Sequence, residues 1–166
     1  MTKKKKVKKT NEERLLDDNH IEFEEKNYDW IGRREKALED VVADGLDPHC
    51  VLKTIVLQAN QDPKDYLVVC LPVEAHLNLK MIAHELGKKQ LHLADNKSLI
   101  KITGYVHGAN TPIGIHAYKG FPIYFDEQIK PYDKVVVSAG KLGRSVIVDQ
   151  KKLLDLVEGK YIKVEC

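Results

Sequence analysis

The sequence lacks long apolar runs and has few cysteines. No stretch of its 166 residues approaches the ~20 consecutive apolar residues of a membrane-spanning helix, and no apolar segment follows the first lysines as it would in a secretory signal peptide. The three cysteines, Cys50, Cys70 and Cys166, show no CxxC spacing and predict neither a disulfide framework nor a zinc site. We expect buried thiols and an exposed terminal one, with a catalytic cysteine as the minor alternative. We therefore expect a cytoplasmic protein without a membrane partner.

The common signatures of catalysis and cofactor binding are absent as well. No GxSxG surrounds a serine, no GxGxxG follows a predicted strand, and GxxxxGK[ST] does not occur. The seven histidines form neither HExxH nor a cysteine–histidine ligand spacing, so we expect no metal and no cofactor. His107 and His116 lie closest to the glycine-rich segment described below, although a loop histidine is more often exposed than catalytic.

The net charge of +2 conceals an uneven distribution. Six lysines fall within the first ten residues, which leaves 21 Lys and Arg against 25 Asp and Glu, a net charge of −4, in residues 11–166. Such a lysine run is typical of a disordered tail that contacts phosphates without reading sequence. We predict a disordered basic tail over residues 1–10, with RNA contact as an option, and one folded domain over residues 11–166.

The predicted secondary structure mixes helices and strands without a regular alternation. Helices follow from apolar residues three and four apart and from capping residues, and strands from β-branched runs. Because strands outnumber helices and in places follow one another directly, we predict an α+β (mixed α/β) domain with a mixed, partly closed, barrel-like sheet flanked by helices. The predicted helices cover residues 11–19, 34–44, 79–86, 96–103 and 150–157, and the predicted strands cover 20–24, 49–59, 66–72, 91–93, 121–125, 134–138, 145–148 and 161–164.

The segment 101–127 is predicted to be a glycine-rich functional loop. Gly108 and Pro112 form a GxxxP element in which glycine permits a positive φ, while proline fixes its own φ and extends Thr111. Such a turn can direct several N–H groups at one point and bind an oxyanion or a phosphate. The alternative is that glycine and proline only punctuate a surface loop.

Lys53 is the second candidate for a site, because it stands among apolar and β-branched residues of a predicted strand. Its side chain either extends to the edge of the sheet or points into a polar cavity. In a cavity, its ammonium would suit a phosphate or a developing negative charge. With the glycine-rich turns at 104–114 and 138–143, it predicts a site of backbone donors and one cation rather than an acid–base pair.

Four segments in this order resemble the YbaK/ProX family of aminoacyl-tRNA deacylases, which is related to the editing domain of bacterial prolyl-tRNA synthetases. They are VLKTIVL, ITGYVHGANTPIG, FPIYFDE and VVVSAGKLGRSVIV, and the similarity extends over about residues 20 to 164. The resemblance implies a YbaK-like domain that hydrolyses the ester joining a wrong amino acid to tRNA. The chain has GANTP and SAGKLGR where the family commonly has GGxSP and SGGKRG, differences that bear on amino-acid specificity.

The resemblance also implies roles for individual residues. The lysine of the strand and the GxxxP turn are expected to hold the ester and the terminal adenosine, and a tyrosine, an aspartate and the second glycine-rich turn to contact the substrate. The expected catalytic residues are Lys53, Gly108, Ala109, Thr111 and Pro112. The expected substrate-binding residues are Tyr28, Asp126, Ser138, Gly140 and Gly143.

The substrate that the resemblance favours is Cys-tRNA(Pro), with the thiol of the substrate attacking its own ester so that the protein supplies no nucleophile. One alternative is an Ala-tRNA(Pro) deacylase that positions a water molecule. Another is a catalytically weak tRNA-binding partner of a synthetase. The expected partners are aminoacyl-tRNA and, as a candidate, prolyl-tRNA synthetase, and a monomer is the default for a chain of this size.

Overall fold

The computed structural model describes residues 8–30 and 32–164. These residues form six α-helices, eight strands and three 3₁₀ helices. The α-helices are α1 (Asn11–Asp18), α2 (Arg34–Ala43), α3 (Leu79–Leu86), α4 (Leu99–Thr103), α5 (Pro112–Lys119) and α6 (Gln150–Val157). The strands are β1 (Phe23–Asn27), β2 (Leu52–Ala59), β3 (Tyr66–Pro72), β4 (Leu91–Leu93), β5 (Ile123–Asp126), β6 (Lys134–Lys141), β7 (Arg144–Asp149) and β8 (Lys160–Ile162). The 3₁₀ helices are Pro48–Cys50, Asn96–Ser98 and Glu127–Ile129.

The strands form two sheets. The first has the order β4-β2-β3-β5-β8, in which β2 is antiparallel to β3 and β4, while β5 is parallel to β3 and β8. The second is antiparallel with the order β1-β7-β6. A parallel bridge between Val51 and Val136 connects the start of β2 to β6. The predicted α+β domain with mixed sheets and flanking helices is confirmed, and the sheets do not close into a barrel.

The predicted glycine-rich loop at 101–127 is the main correction to the expected elements. Helix α5 occupies its centre, from Pro112 to Lys119, and is capped at its C-terminus by Gly120, whose φ is +68°. Pro112 stands at the first helical position, where no N–H is needed, and Thr111 is the N-cap, with its hydroxyl accepting from the N–H of Ile113. The GxxxP element is therefore a turn followed by the start of a helix.

The main apolar core joins the two sheets. Val56, Val68 and Phe125 of the five-stranded sheet pack in one cluster with Val135 and Val146 of the three-stranded sheet. A second cluster covers the opposite face of the five-stranded sheet against α3. Both faces of the five-stranded sheet are thus buried, which explains the almost continuous apolar sequence of β3.

Buried charges fasten helix α1 to the three-stranded sheet. Thr10 and Glu13 form a capping box at the start of the helix. The fully buried Glu13 carboxylate also accepts hydrogen bonds from Nε and Nη2 of Arg144, at 2.8 and 3.1 Å. Arg144, at the start of β7, pairs in addition with Glu25 of β1. One guanidinium therefore joins α1, β1 and β7.

The pKa of Glu13 makes this junction sensitive to acid. Burial alone would raise the pKa of the carboxyl, but the hydrogen bonds from Arg144 and Thr10 outweigh burial and hold the pKa below its usual value. A carboxyl whose pKa is lowered by folding contributes stability above its unfolded pKa and loses it as the pH falls through the folded pKa. The contribution of Glu13 is therefore present at neutral pH and declines in acid.

We expect Glu13→Gln to lower the free energy of unfolding by about 3 kcal/mol at pH 7, because a buried guanidinium loses a counter-charge. The difference from wild type should shrink as the pH falls below the usual range of a carboxyl pKa. Urea denaturation of both proteins from neutral to acid pH measures it. Glu22→Gln, at an exposed position in the connection between α1 and β1, is the control. An equal difference at all pH values would contradict the assignment.

Candidate functional site

A cavity of about 440 Å³ lies between β2 and β6. The short strand β4 pairs with β2 only from Leu57 to Ala59. The preceding edge of β2 is therefore not covered by β4, and it forms one wall of the cavity. Most of the residues that line the cavity come from β2, β6, the β6–β7 turn, the start of β7, the GxxxP turn and the start of α2. The lining includes Trp30, Arg34, Lys53, His107, Gly108, Asn110, Ser138, Lys141, Gly143 and Arg144.

The register of β2 turns backbone groups towards this cavity. The carbonyl of Val51 accepts from the N–H of Val73 on the β3 side, whereas the carbonyl of Val56 accepts from Ala94 on the opposite side. Because backbone groups alternate sides along a strand, Thr54 directs its N–H and C=O groups away from β3, like Val56, whereas Leu52 lies next to the parallel bridge between Val51 and Val136. The wall of the cavity thus offers strand-edge backbone groups as well as side chains.

Lys53 lines the cavity, which agrees with the hypothesis that its side chain points into a polar cavity rather than to the edge of the sheet. Its side chain is half-buried, and Nζ donates a hydrogen bond of 2.7 Å to the carbonyl of Ala75, in the segment that follows β3. This contact holds the ammonium beside the cavity wall.

The GxxxP turn contributes fewer backbone donors than the sequence suggested. The N–H of Ala109 donates to the carbonyl of Val106 at 3.0 Å, and Pro112 has no N–H. Thr111 is fully buried and serves as the N-cap of α5 rather than lining the cavity. Gly108, with a φ of +88°, and Asn110 do line it. These two residues are the parts of the turn that a ligand would meet.

Asn110 is a buried polar residue that the sequence analysis did not select. It is 7% exposed, and its Oδ1 accepts a hydrogen bond of 2.8 Å from the hydroxyl of Thr103. This contact fixes the orientation of the amide, and Asn110 lines the same part of the cavity as Gly108. An asparagine inside the GANTP segment was the available signal, since buried amides are normally placed by hydrogen bonds.

Some residues of the second glycine-rich turn, 138–143, line the cavity, and others support it from outside. Ser138 and Gly143 line the cavity. The hydroxyl of Ser138 donates to the carbonyl of Ala109 and accepts from the N–H of Gly140, both at 3.1 Å, so it connects β6 to the GxxxP turn. Gly140 lies outside the lining, at a φ of +89°, with its α-carbon against the Glu12 carboxylate.

Two predicted substrate contacts lie outside the lining of the cavity. Tyr28 is 2% exposed, donates a hydrogen bond of 2.6 Å to Asp44, and makes an edge-on ring contact with Trp30, which does line the cavity. Asp126 is fully buried at the end of β5 and accepts from the N–H of Gln128 at 3.0 Å. The structure thus places Tyr28 behind the wall, and it does not bring Asp126 to the cavity.

Cationic side chains are the charged groups of this site. Its described lining contains Arg34, Lys53, Lys141 and Arg144 and no carboxylate. Arg144 is neutralised by its two carboxylate partners outside the lining. The others give the cavity a positive potential suited to a phosphate or an oxyanion. Sequence reasoning missed Arg34 and Arg144 because tertiary packing, not a local pattern, brings α2 and β7 to the cavity.

The buried cysteines do not supply a nucleophile here. Burial raises the pKa of the Cys50 thiol to about 11 and that of Cys70 to about 12, and neither residue lines the cavity. Cys166 lies outside the described residues. His107 lines the cavity and is the residue there that resembles a general base. Among the described residues, no group of three metal-ligating side chains occurs.

A family model identifies the kind of domain. Residues 35–156 match the aminoacyl-tRNA editing domain. The chain belongs to this family. It is an aminoacyl-tRNA deacylase, a hydrolase of the ester that joins an amino acid to tRNA, as the resemblance implied. No helix among the residues described is long and apolar enough to cross a membrane.

Relatives of the editing domain cover almost the whole chain. The Enterococcus faecalis protein EbsC, named provisionally as a Cys-tRNA(Pro)/Cys-tRNA(Cys) deacylase, is 29% identical over 99% of this chain and 98% of its own. A solved structure described provisionally as a trans-editing enzyme for prolyl-tRNA synthetase superposes with a TM-score of 0.75 at 18% identity, covering 96% of this chain and 99% of that one. The solved structure of the hypothetical protein APE2540 superposes with a TM-score of 0.76 at 17% identity, covering 92% of this chain and 97% of that one. These structures share the fold.

The position of Gly140 predicts a stability difference between two glycines. Gly140 and Gly87 both have a positive φ, but a Cβ would meet nothing at Gly87, whereas at Gly140 it would overlap the Glu12 carboxylate. We expect each alanine variant to lose about 1–2 kcal/mol from the left-handed backbone, and Gly140→Ala to lose about 1–3 kcal/mol more from overpacking. Urea denaturation compares them, and equal losses would show that Glu12 does not constrain this turn.

Proposed function

We propose that this deacylase hydrolyses mischarged Cys-tRNA(Pro) and that the thiol of the substrate carries out the first step. The observation that carries the proposal is the composition of the cavity. Its described lining combines the ammonium of Lys53 and the turn residues Gly108 and Asn110 with no carboxylate and no cysteine. Such a site can bind and stabilise an oxyanion, but it has few groups that could attack the ester.

The chemistry of the proposed first step balances within the substrate. The cysteine thiolate attacks the carbonyl carbon of its own ester, and the tetrahedral intermediate carries its negative charge on the carbonyl oxygen. The C–O bond then breaks, the ribose hydroxyl leaves with the proton given up by the thiol, and a cysteine thiolactone remains. Water opens the thiolactone to free cysteine. The protein contributes orientation and stabilisation of the oxyanion.

The contacts in the cavity support a division of roles. Lys53 and the N–H groups of Gly108 and Asn110 stabilise the oxyanion or the terminal phosphate. Ser138 and Gly143 form the facing wall, and Tyr28 holds Trp30 in place. The remaining residues of the turn act through its shape, with Ala109 and Ser138 closing it and Thr111 and Pro112 starting α5 behind it.

The similarity to EbsC supports cysteine as the amino acid and tRNA(Pro) as one carrier, because the name of that relative carries Cys-tRNA(Pro). The similarity in fold to the trans-editing protein supports prolyl-tRNA synthetase as a partner of the reaction.

We expect Lys53→Ala to lower kcat/KM for Cys-tRNA(Pro) roughly 100-fold, as the loss of one preorganised oxyanion contact does in other enzymes. Release of labelled cysteine from the tRNA is the measurement. Lys64→Ala, an exposed lysine in the turn between β2 and β3, is the matched control and should behave as wild type. A loss of only a few-fold for Lys53→Ala would remove Lys53 from the mechanism.

We expect S-methylcysteinyl-tRNA(Pro) to be hydrolysed at least about 100-fold more slowly than Cys-tRNA(Pro), because methylation removes the intramolecular nucleophile and its high effective concentration. It should still compete with Cys-tRNA(Pro) for the cavity. Both rates are measured with the same enzyme preparation at fixed salt. Equal rates for the two esters would refute participation of the thiol.

A second candidate function is supported by the position of His107 in the cavity. As a general base, this imidazole would activate a water molecule for the hydrolysis of Ala-tRNA(Pro), whose amino acid has no thiol. In that case His107→Gln should lower alanine release about 100-fold or more, whereas His84→Gln, on the exposed face of α3, should not. If wild type releases neither amino acid but binds tRNA, the chain is a tRNA-binding partner with weak catalysis.

A further inference from the structure

A second groove adjoins the cavity, and the proposed hydrolysis assigns no role to it. It has a volume of about 580 Å³ and lies between the start of α1, the turn after α4, the end of α5 and the β6–β7 turn. Lys141 lines both the groove and the cavity, so the two are neighbours at this residue. The cationic residues that line this basic groove are Lys8, Lys9, Arg14, Lys119 and Lys141.

The charge of the basic groove contrasts with that of the chain around it. Residues 11–166 carry a net charge of −4. The groove brings together five cations and one carboxylate, Glu12, which is 4% exposed and accepts a hydrogen bond from Tyr105. With Lys8 and Lys9 included, residues 8–166 have 23 Lys and Arg against 25 Asp and Glu, a net charge of −2. A local excess of cations in such a chain indicates an anionic partner.

The cations of the groove are available to such a partner. Lys9 pairs with Asp17, but both side chains are about half exposed, so that pair is weak. Within the described part of the chain, Lys8, Arg14, Lys119 and Lys141 form no ion pair, and all four are exposed. Tyr118, beside Lys119, is 55% exposed and presents an aromatic ring on which a base could stack.

The shape of the substrate indicates which molecule would occupy the basic groove. If the ester lies in the cavity, as the proposed function requires, the polynucleotide attached to it must leave by the surface, because about 440 Å³ accommodates little beyond the aminoacyl end. The basic groove meets the cavity at Lys141. We propose that the groove binds the sugar-phosphate backbone of the acceptor strand of the same aminoacyl-tRNA. This inference rests on the proposed function.

Part of this surface lies outside the matched domain. Lys8, Lys9 and Arg14 precede residue 35, where the match to the editing-domain model begins. Helix α1, which carries Arg14, is held in place by the pair of Glu13 with Arg144, so Arg14 stands on a fixed support. The N-terminal segment thus adds an RNA contact to the domain that carries the hydrolytic site.

The test compares a full-length substrate with its reactive end alone. The double variant Arg14→Gln/Lys119→Gln removes two groove charges without touching the cavity, and Lys64→Gln/Lys151→Gln removes two exposed lysines elsewhere as the control. Each is assayed with Cys-tRNA(Pro) and with a cysteinylated CCA trinucleotide. We expect the ratio of kcat/KM for the tRNA to that for the trinucleotide to fall roughly tenfold in the groove variant, as two phosphate contacts are lost.

The salt dependence gives a second readout. The slope of log KM for the tRNA against log salt should become smaller by about 1.5 in the groove variant, since each phosphate contact contributes roughly 0.7 to 0.9. An unchanged slope and ratio would overturn the proposal. An equal loss on both substrates would also overturn it, because the groove would then act through the cavity. An effect seen only with prolyl-tRNA synthetase present would assign the groove to a protein partner instead.

Failure of the proposed function would be seen separately. If wild type hydrolyses neither substrate, binding of uncharged tRNA(Pro) to wild type and to the groove variant decides the question. Weaker binding by the variant, with the same decrease in salt slope, would support the groove as an RNA surface on a protein with another activity. Equal binding would overturn both proposals.

Discussion

The position of the N-terminal helix depends on the buried guanidinium of Arg144. A buried charge without a counter-charge costs several kcal/mol, so this arginine requires the carboxylates of Glu13 and Glu25. Those carboxylates come from α1 and β1, and both elements are therefore held against the β6–β7 hairpin. The adjacent Glu12 turns to the other side, where it accepts from Tyr105 and lies over Gly140. Since Arg144 also lines the cavity, the packing of α1 and the shape of the site depend on one ion-pair network.

The cavity itself exists because β2 and β6 separate after a single parallel bridge at Val51 and Val136. The pairing of β6 with β7 is irregular between Ser138 and Lys141, where Gly140 has a positive φ. Such an irregularity bends a strand and redirects its side chains. In this protein the irregularity lies next to Ser138, whose hydroxyl bonds to the GxxxP turn. In addition, the short β4 leaves part of the edge of β2 unpaired by β4. Three local features thus produce a space that is bordered by backbone groups.

The sequence analysis predicted the elements that depend on local patterns of apolar, capping and turn residues. Helix α2, the hairpin of β2 and β3, and helix α3 with its caps Asn78 and Gly87 lie where periodicity and turn residues placed them. It failed at 101–127, since glycines masked an eight-residue helix whose Pro112 suited a turn and a helix start equally well. Lys53 could be selected as a candidate because a lysine in an apolar strand is conspicuous; it lines the cavity, and its role stays a prediction. Arg34 and Arg144 reach the cavity by packing between elements distant in sequence, and nothing in their local sequences indicates this.

The charge of the lining bears on how the enzyme can choose its amino acid. The described lining of the cavity contains no carboxylate, and it therefore offers no counter-charge to the α-amino group of the substrate. Recognition would then depend on the ester, the phosphates and the side chain of the amino acid. Apolar lining residues such as Val51, Ile55 and Val73 could discriminate side chains only by size, and a difference of one methylene is worth only about 1–3 kcal/mol in such a pocket. Alanine, serine and cysteine are too similar in size for large selectivity on that basis. If the substrate must supply its own nucleophile, alanine fails at the chemical step even when it binds. Selectivity would then reside in the reaction, and a simple apolar wall would be sufficient.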